Sequence, residues 1–248
     1  MRAILTYHSI DPSGSPISVH PDAFERHLAW LTSGRVKVTT VDDLLAVPST
    51  EDAVAVTFDD GMANLRQVLP KLVAHEVPAT IFVVAGHAGA HNDWGGRSVP
   101  GIPHLPLLDW AELRDWRRQG ITIGAHSRTH PDLTTLPAEA MDAEVRGCAD
   151  MIEREVGARP KTFAYPYGAF NDAVAQTVAR HFACAVTTEL RPLAAQDDAM
   201  RLPRLDMYYL QAAGQIERFG TGVFKAYVSV RHQLRRVRQA WSVGRAGA

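Results

Sequence analysis

Short β-type runs that are apolar on both faces alternate with amphipathic helical patterns along the whole chain. The runs are AILTYH, VKVTT, AVAVTF, ATIFVVA, ITIGAH, TFAYP and CAVTT, with RLPRLDM as an eighth candidate. A strand without a polar face must be covered on both sides, and helices between successive strands do this in parallel sheets. The alternation therefore confines the chain to a parallel α/β architecture. The number of strands favours a closed barrel over an open sheet, and 248 residues suit a single-domain β/α barrel. One helix is expected to carry Phe24, Leu28 and Leu31. Another carries Met141, Val145, Cys148, Ile152 and Val156 on one face, with Pro137 just inside its start and Gly157 just past its end. Asn171 is placed to cap a third.

Charge and cysteine content exclude several classes. A net charge of −1 gives no electrostatic reason to expect nucleic acid as a partner. Cys148 and Cys184 are far apart and in no motif, so they read as small buried hydrophobes rather than a disulfide scaffold. The apolar run in MRAILTYHSI is too short for a signal-peptide core, and VPATIFVVAGHAGA is too short to span a bilayer. A cytoplasmic, soluble chain is the expectation. After Gly222 the chain holds Lys225, Arg231, Arg235, Arg236, Arg238 and Arg245 and no acid. This tail reads either as a solvated final helix or as a surface for an anionic membrane or acidic partner. The expected division is a barrel over 1–210 and a basic tail over 211–248. The segment 87–108, rich in Gly, Pro and His, is one long loop, and loops of that length are functional or disordered.

The polar residues collect at strand ends. His8 ends the first run, Asp59 and Asp60 end AVAVTF, His126 ends ITIGA, Tyr167 follows TFAYP, and Arg204 and Asp206 lie in or just after the last run. In a β/α barrel the C-terminal strand ends share one mouth, where chemistry sits. Two adjacent carboxylates at a partly buried strand end repel, and a bound cation removes the conflict. His126 and His130, four apart, would share a face on a helical turn. Two imidazoles and a carboxylate make a three-ligand metal site with positions open for water and substrate.

TFDDG at 57–61, HSRTH at 126–130 and FAYPYG at 163–168 resemble the first three motifs of the polysaccharide deacetylases, carbohydrate esterase family four or the NodB homology domain. The resemblance runs from about residue 3 to about 206. LTYHSI and AYPYG are similar to the branch of poly-N-acetylglucosamine and exopolysaccharide deacetylases. The resemblance implies a distorted (β/α)7 barrel. It implies Asp59 as general base, and Asp60, His126 and His130 as metal ligands. Tyr167 would supply an oxyanion-hole N–H, with Pro166 and Tyr167 walling an acetyl pocket. Zinc is the default ion, with cobalt, nickel or manganese also suited. The substrate class implied is an N-acetylated glycan or sugar.

Two departures matter. The family arginine of the third motif is replaced by the neighbourhood Phe163, Ala164, Tyr165, and the C-terminal leucine-x-histidine is absent. Arg204 is assigned the missing cation beside Asp59, against the alternative that it pairs with Asp206. His8 is assigned the missing general acid, against a purely structural cap. Trp94, with Asn92 and Asp93, is either a sugar platform or loop packing, while Trp110 and Trp116 are packing residues. The rival readings are an amide hydrolase of the same fold acting on a small substrate, and a glycan-binding domain with a weakened site. A glycosidase fits poorly, because its two carboxylates flank the bond at least roughly 5 Å apart.

Overall fold

In the computed structural model, residues 1–94, 96 and 100–246 are described, with side chains as far as 237. The strands are β1 (Arg2–Tyr7), β2 (Ser9–Ile10), β3 (Ser18–Val19), β4 (Lys37–Thr39), β5 (Ala53–Phe58), β6 (Ala79–Val83), β7 (Thr122–Ala125), β8 (Thr162–Ala164), β9 (Cys184–Val186) and β10 (Leu205–Asp206). The helices are α1 (Pro21–Leu31), α2 (Val41–Leu44), α3 (Leu69–Ala74), α4 (Trp110–Arg118), α5 (Ala138–Val156), α6 (Asp172–Ala179) and α7 (Gly222–Ala246).

The main sheet is parallel and runs β10-β1-β5-β6-β7-β8-β9. The strand β4 shares one edge of β5 with β6, β4 beside Ala53–Ala55 and β6 beside Val56–Phe58. A single parallel bridge from Val186 to Leu202 returns the β9 side to the chain entering β10. Two hydrogen bonds, Thr187 N–H to Leu202 O and Leu202 N–H to Ala185 O, reinforce it. The sheet thus curls into a barrel, as the strand count favoured, in the distorted form that the family resemblance implied. The small pair β2 and β3, parallel to each other, had no signal in the alternation.

Strand periodicity sorts the core into two layers. Ala3, Leu5, Tyr7, Val54, Val56, Phe58, Ile81 and Val83 point to the helices and join the large outer core. Ile4, Ala53, Ala55, Phe82, Ala164, Cys184 and Val186 fill the barrel interior. Phe82 occupies so much of that interior that a Cβ on Gly124 would lie 2.6 Å from its ring. Both cysteines are free and buried, as expected.

The inward rows carry the design of the site. Along β1 the row is Ile4, Thr6, then His8; along β5 it is Ala53, Ala55, Thr57, then Asp59. Each row is apolar at the floor and polar at the mouth.

The helix caps follow local chemistry. The Asn171 side chain accepts from Val174 N–H, and Asp109 with Glu112 forms a capping box on α4. Gly157 closes α5 at φ 77° in the left-handed region. Pro137 is the N-cap of α5 rather than its first helical residue, its extended backbone leaving the first turn to start at Ala138. Trp110 and Trp116 pack against the outer core. The long loop is tied at its base, where His91 bridges Pro106 and Met62 bridges Leu107. The buried Asn92 donates to Pro103 O and accepts from Leu105 N–H. Gly95 and 97–99 lie outside the described residues. After the barrel, α7 packs back through Phe224 and Val228, Phe224 against Phe219. The side chains of Arg238 and Arg245 lie outside the described residues. Among the described residues no helix is long and apolar enough to cross a membrane.

Candidate active site

Strand alternation alone would place Asp59 in the barrel mouth and send Asp60 away from it. The backbone reverses instead: Asp60 has φ 67° and Gly61 φ 74°. This left-handed pair brings Asp60 back to the same mouth, at a cost only glycine escapes. The adjacent carboxylates then meet different surroundings.

Asp59 has a cation of its own. Arg204 clamps it with Nη1 to Oδ1 at 2.7 Å and Nη2 to Oδ2 at 2.6 Å, both side chains buried. Arg204 Nε donates to Thr187 O at 2.8 Å, fixing the plane of the fork. Burial pushes the Asp59 carboxyl up, but Arg204, aided by His8 and His126, holds it well below the usual carboxylate range. Arg204 precedes β10 rather than following its end, and the long side chain makes up the distance. It does not pair with Asp206, which faces Arg235 at 3.8 Å.

Asp60 has no such partner. Its Oδ1 is buried without a hydrogen bond, while His126 Nε2 and His130 Nε2 stand 3.5 and 3.6 Å from it. Burial raises the Asp60 carboxyl above its ordinary value, the nearby histidines only partly opposing this. His126 Nδ1 donates to Ala164 O at 2.7 Å, so its Nε2 lone pair faces Asp60. Burial, with His126 alongside, also drives His130 toward the neutral form. Two imidazole lone pairs and an orphaned carboxylate oxygen thus converge, all within 4.8 Å of one another. Such a donor set fits a divalent cation of the zinc type.

The two histidines do not meet on a helical turn. Ser127 and His130 have φ of 62°, and His130 N–H donates to Ser127 Oγ at 2.9 Å, closing a tight irregular loop. Glu144, buried on α5, braces that loop by accepting from Arg128 N–H, Thr129 N–H and Thr129 Oγ1 at 2.8–2.9 Å. Sequence reasoning passed over Glu144, yet there was a signal. It is an acid lying between Met141 and Cys148 on the apolar stripe of a helix.

His8 Nε2 lies 3.7 Å from Asp59 Oδ2, half-buried at the mouth. Tyr167 has φ 59° and sets its ring edge-on to His130 at 4.6 Å. A Cβ on Gly168 would collide with Thr188, so glycine alone fits this turn. Trp94 stacks on His130 with ring centres 4.3 Å apart and planes at 24°. The indole is therefore both loop packing and pocket wall. His91 and His104 stack on each other rather than joining the cluster. The mouth holds a cavity of about 300 Å³ lined by His8, Asp59, Asp60, Trp94, His126, His130 and Tyr167 among others. At Tyr167 and Thr188 it adjoins two further cavities, of about 720 and 380 Å³.

The curled parallel barrel is a fold that this chain shares with solved deacetylase structures. The chain belongs to the polysaccharide deacetylase family, whose sequence profile, Polysaccharide deacetylase, matches residues 46–183. It resembles the Bacillus subtilis protein YxkH, 27% identical over 193 residues, covering 75% of this chain and 64% of that protein. It also resembles the poly-beta-1,6-N-acetyl-D-glucosamine N-deacetylase of Staphylococcus aureus, 25% identical over 170 residues, covering 62% and 55% respectively. The chain thus spans less than two-thirds of the length of these curated relatives. Among solved structures, the Streptococcus pyogenes deacetylase PplD, in complex with acetate, superposes with a TM-score of 0.70 at 22% identity. That match covers 82% of this chain and 91% of that one, a likeness of fold. His8 and Arg204 both lie outside the stretch matched by the family profile.

Proposed function

We propose that the chain is a metal-dependent N-deacetylase that hydrolyses the acetamide of an N-acetylated sugar or polysaccharide, releasing acetate and a free amine. The carrying observation is the orphaned Asp60 Oδ1 facing two imidazole nitrogens, beside a carboxylate kept ionised by Arg204. Asp60, His126 and His130 would hold the cation. When bound, such an ion polarises an acyl oxygen and lowers the pKa of a water molecule to about 7.

The rest of the reaction belongs to the chain. Asp59, held as carboxylate, accepts the proton of the attacking water, and Arg204 keeps its two oxygens oriented. The turn at Tyr167 offers its N–H to the developing oxyanion. His8, beside Asp59 at the mouth, hands a proton to the departing nitrogen. Trp94 and Tyr167 wall the acetamide, and the cavities beyond Tyr167 and Thr188 leave room for neighbouring sugar units. That extension favours a glycan over a small isolated amide, which would need only the inner cavity.

Acetate release from N-acetylglucosamine oligomers, including β-1,6-linked ones, tests the reading, with wild type beside Asp59→Asn under added zinc. Release by wild type alone supports it. Activity confined to a small non-carbohydrate amide would replace it with the rival hydrolase.

A further inference from the structure

We propose that the exposed face of α7 is a docking surface for an anionic lipid bilayer. Val223, Val230, Leu234 and Val237 are 54–62% exposed, and they recur at intervals of seven, four and three residues. That spacing aligns them along one stripe of the helix. Only two other large apolar residues are comparably open among the described residues, Leu45 and Tyr167. The opposite interest of the helix is already satisfied. Phe224 and Val228 are buried against the barrel, Tyr227 donates to Tyr209 O, and Arg231 lies over the Tyr209 and Tyr227 rings. The stripe is therefore surplus to the packing that holds α7 in place.

The charge on the helix selects the occupant. From Gly222 onward there is no acid, and the described cations are Lys225, Arg231, Arg235 and Arg236. Lys225 and Arg236 are exposed and form no ion pair among the described residues. Two copies of such a helix would bring like charges together, which opposes self-association. An anionic bilayer offers both what the stripe lacks, an apolar layer, and what the cations lack, negative charge. Since α7 is not apolar enough to cross a membrane, it would lie in the interface plane. His232, Arg235 and Arg236 also line the cavity that adjoins the catalytic pocket at Tyr167.

The inference is independent of the catalytic reading, because binding is measured without substrate. The full chain is floated with vesicles of phosphatidylcholine alone and of phosphatidylcholine mixed with phosphatidylglycerol. The expected result is binding to the mixed vesicles, weakened by added salt and at least tenfold weaker on phosphatidylcholine alone. The double change Val230→Ser with Leu234→Ser removes only exposed carbon. It should lower the partition roughly tenfold or more with the thermal midpoint unmoved. Arg236→Glu should weaken binding to the mixed vesicles alone. No binding to the mixed vesicles overturns the proposal, and so does a serine double variant that binds like wild type. A concentration-dependent dimer in light scattering that Leu234→Ser dissolves also overturns it, reassigning the stripe to a second copy.

Discussion

Arg204 and Asp59 are 145 positions apart in sequence and form a buried two-point ion pair, with contacts of 2.7 and 2.6 Å. Among the described residues Asp59 is the only carboxylate on Arg204, and the remaining guanidinium bonds go to Thr187 O and Thr57 Oγ1. The fork does two jobs at once. It neutralises a charge that burial would otherwise discharge, and it fixes the direction of both carboxylate oxygens.

Arg204→Gln should therefore leave an uncompensated buried carboxylate, at a cost of about 3–5 kcal/mol in stability. In the wild type Arg204 holds Asp59 ionised below the usual carboxylate range. Without it, burial is opposed only by His8 and His126, the pKa rises, and the acidic limb of kcat/KM moves to higher pH. Arg204→Lys keeps the charge without the fork and should fall between the two. An unmoved acidic limb in Arg204→Gln would show that Asp59 is not the base.

Added zinc should raise the thermal midpoint of the wild type, since an ion at 100 times its dissociation constant contributes about 2.7 kcal/mol to the folded state. Asp60→Asn removes the negative charge between the histidines and should abolish that shift. A chelator should remove both the shift and acetate release. Calorimetric scans with and without the ion provide the readout, and an equal shift in Asp60→Asn would place the ion elsewhere.

Glu144 touches no proposed ligand, yet three donors from the His126–His130 loop converge on it. Glu144→Gln loses part of that brace while keeping the volume. Zinc affinity should fall by about 10–100-fold, the range for outer-shell changes, measured by titration calorimetry. Affinity equal to wild type would mean that the loop holds its shape unaided.

His8→Ala should lower kcat by about 10²–10⁴-fold with little change in KM, because the proposed proton donor is gone. Arg204 and Asp59 should keep their pairing, while the acidic limb moves slightly to higher pH, because His8 also helps to hold Asp59 ionised. A kcat in His8→Ala equal to wild type would assign the donor to another group.

His27 predicts a pH dependence of stability away from the site. Its ring is buried between Tyr7 and Leu210, with Nε2 donating to Leu210 O at 3.0 Å and Nδ1 accepting from Tyr7 Oη at 3.1 Å. Burial lowers its pKa to about 4, the Leu210 hydrogen bond opposing. The unfolded chain takes the proton near pH 6.5, so stability is full above that value and drains as pH falls toward 4. The loss is about 3 kcal/mol. His27→Gln, uncharged throughout, should flatten the denaturation midpoint against pH across this window. An unchanged slope would mean that other groups carry the acid sensitivity.

The sequence by itself determined the kind and order of the elements and the residue types at the mouth. Apolar two-faced runs need cover on both sides, and the inward rows ending in His8 and Asp59 follow from a period of two. The proposed ligand trio and the proposed base could be picked out because each sits at or just past a strand end. Other features needed the tertiary structure. The reversal at Asp60 and Gly61, the irregular loop between His126 and His130, and the stacking of Trp94 on His130 depend on left-handed backbone and on contacts between distant segments. Sequence analysis proposed Arg204 for Asp59 without excluding Asp206, and closure of the barrel decided between them by making β10 the neighbour of β1. Local patterns record which face a residue shows. Which partner waits there is settled only when strands far apart in the chain become neighbours, because that choice belongs to the whole sheet.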